Sequence, residues 1–454
     1  PGQVGQVHQA IEAGGLTTAV RLYRQLLDLE PEDHQAWSNL GVALRKRENF
    51  EAAAAAQQRA VQLKPEEGSY WSNLGNALKD LDRIDEAIAA HRRACQLRPK
   101  EPSWRHNFGV TLREGGFFKE ALDEFDAAIR LAPENDNYRW DRSIILLHLG
   151  RWEDGWIAYE WRYRLKEMPE RRRDFPRWLG EDFKDRTLVL HPEQGFGDTI
   201  LATRWLPQVK ARGGRVVLLA KPPLLRLFQG LPGVDQVVST EDAKLTSIHT
   251  FCSLMDLPRI FMPTPETAPP PVRLTIPEDA RAKARAWLRP AGERFKVGVV
   301  WSGSVTFKNN RKRAVEAERF LPLAEIPGVQ LVSLQKGPRE GDLDSSGANG
   351  VMLDLGRKVQ DFAESAAVID QLDLVIMTDS SVAHLCGTLG KPIWNLLNYV
   401  PYWLYGWDSE TTPWYPSMRL FRQPRPADWD SVFARVSEAL KRAVELKREG
   451  RWPA

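Results

Sequence analysis

Two short segments of this chain hold the residues best suited to chemistry. The first, His191-Pro192-Glu193-Gln194-Gly195-Phe196-Gly197-Asp198, sets three titratable side chains beside two glycines. Gly195 and Gly197 permit a tight turn and let a substrate approach the backbone closely around Gln194. Asp198 closes the loop, where a carboxylate either caps a helix by accepting a backbone N–H or, facing a cleft, takes the proton of an acceptor hydroxyl. As a dinucleotide fingerprint the loop is incomplete, because Ile200 stands where a third glycine belongs. The second segment, Thr378-Asp379-Ser380-Ser381-Val382-Ala383-His384-Leu385, puts small hydroxyl residues at a helix start. Unpaired N–H groups and the positive dipole end there suit a diphosphate, with Asp379 alongside. His384 falls in the first turn, where its ring either reaches a phosphate oxygen or packs in the core.

Cations follow two further loops. Trp301-Ser302-Gly303-Ser304 leads into Lys308, Arg311, Lys312 and Arg313, and Leu334 leads into Gln335-Lys336-Gly337. Such charge is either a solvated face or, beyond strand ends, a means of neutralising a leaving diphosphate. No metal site is expected. Asp-x-Asp pairs occur at Asp80/Asp82, Asp342/Asp344 and Asp428/Asp430, and their scatter deprives the pattern of weight. A phosphate loop, a His-Glu-x-x-His helix and a Gly-x-Ser-x-Gly elbow are all missing.

The elements that must position these loops alternate apolar runs with amphipathic stretches from about Lys184, the grammar of parallel α/β units. Strands are predicted at Thr187–Leu190, Arg215–Ala220 and Val234–Val238, with helices at Thr199–Arg212 and Pro223–Gln229. A proline-dense stretch from Pro258 to Pro277 reads as a connector. The grammar then restarts, with strands at Lys296–Trp301, Gln330–Leu334, Asp373–Met377 and Pro392–Leu397. Helices are predicted at Val359–Gln371, Val382–Leu389 and Trp429–Arg448. Two Rossmann-like lobes leave a cleft, and open sheets of this class bind ligands beyond the carboxyl ends of their strands.

The front third obeys another rule. Pro31, Pro65, Pro99 and Pro133 are 34 residues apart, and Trp37-Leu40-Gly41 recurs as Trp71-Leu74-Gly75 and as Arg105-Phe108-Gly109. Ala53, Ala87 and Ala121 keep step, as do Ala60, Ala94 and Ala128. That period identifies helix–turn–helix repeats of the tetratricopeptide kind. Weaker copies lie upstream at Ala19, Tyr23 and Leu26, and downstream over Tyr138–Gly150 and Trp152–Arg164, whose aromatic stripe is expected to form a seam between domains. Asn39, Asn73 and Asn107 form a ladder of amides able to hold an extended acceptor peptide, or else to satisfy neighbouring groups.

Composition narrows the class. Among 454 residues, 63 are basic and 60 acidic, a net charge of +3 that is too mild to imply nucleic acid. No apolar run is long enough to span a membrane, and Pro1-Gly2-Gln3 carries no signal segment, so a cytoplasmic protein is expected. Cys95, Cys252 and Cys386 are too scattered for a zinc knuckle or a disulfide framework.

From Tyr159-Glu160-Trp161-Arg162 to the carboxyl end, the chain resembles GT-B glycosyltransferases related to the bacterial heptosyltransferase group, family 9-like, here fused to tetratricopeptide repeats. The likeness rests on His191–Asp198, Leu334-Gln335-Lys336-Gly337, the Thr378–Leu385 segment with Gly390-Lys391-Pro392, and Trp414-Tyr415-Pro416 with Arg419-Leu420-Phe421-Arg422. The resemblance implies an α-solenoid over 1–165, an acceptor lobe over 166–271 and a donor lobe over 272–454. It implies sugar transfer from a nucleotide-activated donor with no metal or other cofactor, and a protein acceptor recruited by the repeats. Asp198 would be the base, Gln194, Gly195 and Gly197 would face the acceptor, and Arg311, Lys312 or Arg313 would assist the leaving group. Asp379, Ser380, Ser381 and His384 would cradle the diphosphate, with Ser302, Gly303, Lys308, Gln335 and Lys336 also on the donor side. Ser381 departs from the group, which tends to have glycine there; that bears on donor identity more than on phosphate binding. A non-catalytic adaptor and a transferase acting on a lipid-linked or polysaccharide acceptor are the other readings.

Overall fold

The computed structural model describes residues 2–165, 175–241, 248–304 and 310–452, with side chains from residue 15 onward. The chain divides into two compact units, Pro1–Lys166 and Glu167–Ala454. The first is helical among its described residues: α1 (Gly2–Leu29), α2 (His34–Lys46), α3 (Phe50–Leu63), α4 (Gly68–Asp80), α5 (Ile84–Leu97), α6 (Pro102–Glu114), α7 (Phe118–Leu131), α8 (Asp136–His148) and α9 (Trp152–Ala158).

The period of 34 is legible in single hydrogen bonds. Asp33, Glu67, Glu101 and Asn135 each cap the helix that follows, accepting the N–H two residues on at 2.9, 3.2, 3.4 and 3.1 Å. Trp37 and Trp71 donate their indole N–H to the carbonyls of Pro31 and Pro65 at 2.9 and 2.8 Å. Arg105 and Arg139 take over that task, donating to the carbonyls of Pro99 and Pro133. Within each pair the chain turns through a left-handed residue: Glu48, Asp82, Gly116 and Gly150 all have φ between 59° and 80°. Close approach explains the repeated glycine. A Cβ on Gly41 would meet Gln57 at 2.5 Å, one on Gly75 would meet His91 at 2.6 Å, and one on Gly109 would meet Phe125 at 2.8 Å. Ala53, Ala60, Ala87, Ala94, Ala121 and Ala128 are all fully buried, so the second helices pack through small residues.

The helix expected over Trp152–Arg164 stops at Ala158 and tightens into a 3₁₀ turn, Tyr159–Arg164. The buried Arg162 guanidinium donates to the Tyr159 carbonyl at 3.2 Å, capturing an acceptor that a further α-turn would use. Of the aromatic stripe, Trp156 and Tyr159 are buried, and the Trp140 ring lies tilted with its centre 4.9 Å from that of Tyr159.

The second unit contains two wholly parallel sheets. The first comprises β1 (Thr187–His191), β2 (Arg215–Ala220), β3 (Gln236–Ser239) and β4 (Thr250–Ser253), in the order β3-β2-β1-β4. The second comprises β5 (Phe295–Val300), β6 (Val329–Ser333), β7 (Met352–Asp354), β8 (Leu374–Thr378), β9 (Ile393–Leu397) and β10 (Met418–Arg422), in the order β10-β9-β8-β5-β6-β7. Both wind outward from their first strand and then jump back, so the direction reverses between β1 and β4 and again between β5 and β8. Such reversal points leave a crevice at the carboxyl ends of the strands. The closing helix Trp429–Arg448 buries Val432, Val436, Leu440 and Val444 at helical spacing against the second sheet.

Three strands, β4, β7 and β10, went unpredicted. The first two are only four and three residues long, and β10, at the sheet edge, carries Arg419 and Arg422 within its five residues. The helix after β1 begins at Phe196 rather than Thr199 and breaks into α10 (Phe196–Ala202), a 3₁₀ turn and Leu206–Lys210, with Pro207 starting the last piece. Pro258, expected in a connector, sits at the start of a one-turn helix, Leu257–Phe261, where its missing N–H costs nothing. Among the described residues no helix is long and apolar enough to cross a membrane.

Candidate functional site

The two reversal points meet. Gly197 of α10 lies so close to the Ser381–Leu389 helix that a Cβ there would come within 2.6 Å of the His384 ring and 3.3 Å of Ser381 Cα. The loop after β1 and the loop after β8 are thereby brought to one place, although 183 residues separate Asp198 from Ser381.

On the β1 side, Asp198 is the third residue of α10 rather than its cap. Its Oδ2 accepts the Gly195 N–H at 3.1 Å, so the carboxylate braces the loop from inside the helix. Burial raises its pKa to about 6, and Asp379 and Glu193 push the same way, against the lowering effect of the Gly195 N–H. A carboxylate so tuned is half-ionised just below neutrality, which suits a general base. Glu193 accepts from Ser253 Oγ at 2.6 Å, tying the loop to the end of β4. Lys221 donates to the Gln194 carbonyl at 2.8 Å and lies over the Phe196 ring. Gly195 is exposed.

On the β8 side, Ser380 caps the helix, accepting the Val382 N–H at 3.3 Å. His384 is buried, with Nδ1 3.0 Å from the Tyr415 hydroxyl; burial lowers its pKa to about 4, so it is neutral at physiological pH. Arg204 stands behind, 2% exposed, donating to the carbonyls of Leu201 and Trp414 and lying 4.9 Å from the centre of the Tyr415 ring. Asp379 faces Arg313 at 3.4 Å and accepts the Tyr405 hydroxyl at 2.7 Å.

Around β5, Gln335 receives the N–H groups of Trp301 and Ser302 at 3.1 and 3.0 Å and donates to the Ser302 carbonyl at 3.1 Å. Its amide is spent on bracing the loop. Lys336 turns to the Gly356 carbonyl at 3.2 Å. Asn310 accepts the Gly303 N–H at 3.1 Å and donates to Ser302 Oγ at 3.0 Å. A Cβ on Gly303 would come within 2.9 Å of the Arg313 guanidinium, so Arg313 lies directly over that glycine while Arg311 is exposed. Lys308 lies outside the described residues.

The structure thus brings the Gly195–Asp198 turn, Ser381 and His384 to one place and sets Arg313 beside Asp379, while the side chains of Gln335 and Lys336 hydrogen-bond backbone carbonyls. Arg204 and Tyr405 went unread, and Tyr415 was marked only as part of the resemblance with no role, because their partners lie 26 to 210 residues away. An open depression of about 610 Å³ lined by Lys184, Arg186, Lys210 and Arg215 lies at the amino ends of β1 and β2, the edge opposite these groups.

In the first unit the amide ladder engages its neighbours. Asn73 donates to Ser38 Oγ at 3.4 Å and Asn39 hydrogen-bonds the Tyr23 side chain, while all three asparagines stay partly exposed. Tetratricopeptide-repeat family profiles match residues 5–68, 68–101 and 106–160. The amino-terminal unit is a tetratricopeptide-repeat solenoid. Solved structures resembling these repeats include MamA, at 17% identity over 34% of this chain and 91% of that one, with a TM-score of 0.33. MamA residues 41-end from Desulfovibrio magneticus match at 15% identity over 36% of this chain and 90% of that one, also with a TM-score of 0.33. YrrB, described as a TPR protein with an unusual peptide-binding site, matches at 20% identity over 36% of this chain and 84% of that one, again with a TM-score of 0.33. Protein FlbA of Caulobacter vibrioides is 30% identical over 330 residues, covering 66% of this chain. The chain spans about half, 54%, of FlbA's length. That alignment is longer than the solenoid and so runs into the second unit.

Proposed function

We propose that this protein is a cytoplasmic bacterial glycosyltransferase of GT-B type. It would move a sugar from a nucleotide-activated donor to an acceptor without a metal, and its repeats would recruit a protein acceptor. One observation carries the reading: the reversal points of two parallel sheets converge, bringing a carboxylate with a raised pKa against a hydroxyl-rich helix start. In this scheme the donor diphosphate sits at the N–H groups around Ser380 and Ser381, within reach of His384. Asp198 takes the proton from the acceptor hydroxyl as that oxygen bonds the anomeric carbon. The bond from that carbon to the diphosphate breaks, and Arg313 meets the charge that develops on the leaving group. Recruitment by the repeats draws on the general use of such solenoids, whose stacked helices form extended concave binding surfaces.

The test has two parts. Thermal shift against a panel of nucleoside diphosphates should show one that stabilises the protein. Radiolabelled nucleotide sugar should then place label on protein in a lysate. Label on lipid or glycan would move the acceptor to those classes. Binding and transfer both absent would leave a tetratricopeptide adaptor, a reading favoured by family profiles that cover the repeats.

A further inference from the structure

Asp379 lies where a diphosphate would be expected, yet a carboxylate is a poor phosphate ligand: it is an acceptor with like charge. Its surroundings assign it other work. One oxygen accepts the hydroxyl of Tyr405, a side chain 1% exposed, at 2.7 Å. The other faces Arg313 at 3.4 Å, and both members of that pair are largely buried, at 17% and 13% exposure. Arg313 comes from the short Asn310–Arg313 helix, which Asn310 pins to the Ser302–Gly303 loop through both ends of its amide. The missing side chain at Gly303 makes the space in which the guanidinium lies. A rotamer-rich arginine is thus confined by a glycine below it and a carboxylate beside it, and that carboxylate is itself held from behind by a buried phenol. Arg313 and Asp379 sit beyond the carboxyl ends of β5 and β8, the neighbouring strands at which the second sheet reverses.

We propose that Asp379 is a positioning residue: anchored by Tyr405, it aims Arg313 at the donor diphosphate and does not bind phosphate itself. This rests on the reading of the second unit as a nucleotide-sugar transferase. It makes a prediction opposite in sign to simple electrostatics, under which removing a carboxylate beside an anion site tightens binding.

The experiment is calorimetry with the nucleoside diphosphate that stabilises the wild-type full chain most. If no nucleoside diphosphate binds the wild type, the transferase reading fails, and this assignment falls with it. Given wild-type binding, Arg313→Ala should weaken it roughly ten- to hundredfold, the worth of a charge-assisted hydrogen bond. Asp379→Asn should weaken it in the same direction by about tenfold. The double variant should be no worse than Arg313→Ala alone, since a residue acting through another adds nothing once that other is gone. Tyr405→Phe keeps the Asp379 charge and the ring, guards against misfolding of the charge variant, and should also weaken binding, by a few-fold. Asp379→Asn binding as tightly as wild type or tighter, or losses that add in the double variant, would overturn the assignment while leaving the transferase reading intact.

Discussion

A carboxylate that must accept a proton near neutrality has to be kept from losing its basicity to hydrogen bonds and cations. Asp198, the base in the proposed transfer, has its pKa raised by burial and by two neighbouring acids, with the Gly195 N–H as the opposing influence. Asp198→Asn preserves size and can still accept the Gly195 N–H, so melting should change little while turnover falls by about 10²–10⁴-fold. With a pKa of about 6, the acid limb of turnover against pH should lie near pH 6, well above the ordinary aspartate range. An acid limb at pH 4 in steady-state rates would show that another group is the base. The same physics acts on stability in the solenoid. His91 is fully buried, neither ring nitrogen has a hydrogen-bond partner among the described residues, and its pKa is lowered to about 3, chiefly by burial. Its proton is therefore bound more tightly when the chain is unfolded. Between the unfolded value of about 6.5 and the folded value of about 3, each unit of acidification should cost about 1.4 kcal/mol. His148, also lowered to about 3, adds a like slope. Gln57 occupies the position of His91 one repeat earlier, so His91→Gln should roughly halve the loss of stability between pH 6.5 and 5 in chemical denaturation. An unchanged slope would mean that the ring gains water or a partner on protonation.

Elements form here where local signals agree with packing, and are misread where one long-range bond decides. Glycine at 41, 75 and 109 and the prolines at 31, 65, 99 and 133 announce the solenoid because each repeat solves the same local problem. Some periodic features are fainter in the letters. The left-handed turn residue is glycine at 116 and 150 but Glu48 and Asp82 in the earlier repeats, with φ of 59° at both. A side chain in that region costs about 1 kcal/mol, partly offset by the greater unfolded freedom of glycine. Glu48→Gly and Asp82→Gly should each raise stability by about 0.5–1 kcal/mol, seen as a higher denaturation midpoint. A fall in midpoint would mean that these side chains make contacts worth more than the strain. In the second unit, β1, β2, β5, β6, β8 and β9 are legible as apolar runs because they are buried on both faces. The start of α10 was not, since Asp198 reads locally as a cap, whereas the Thr199 N–H already bonds the Gly195 carbonyl and the Asp198 carboxylate reaches back to the Gly195 N–H. The loops at 191–198 and 378–385 could be named from residue type; that they meet required the fold.

At the scale of the whole molecule, the question is what a solenoid adds to a unit that holds the candidate groups. If the repeats recruit the acceptor, their contribution should be separable from the donor's chemistry. Asn39, Asn73 and Asn107 give a way to test this, because they recur at the same register on α2, α4 and α6 and remain partly exposed. An amide that both donates and accepts can hold an extended backbone without demanding a sequence. Part of that capacity is used internally: Asn73 donates to Ser38 on α2 and Asn39 meets Tyr23 on α1, so these two rungs are steadied by an earlier helix. Replacing all three by alanine should therefore lower stability modestly, by about 0.5–1.5 kcal/mol for each such bond lost. Transfer of labelled sugar to protein should fall at least tenfold, while hydrolysis of the nucleotide sugar by the same preparation should stay within twofold of wild type. That split is what recruitment requires, since water needs no solenoid to reach the donor. Equal loss of both activities, or a collapse of melting temperature, would make the ladder a structural spine and move the acceptor surface to another face of the repeats.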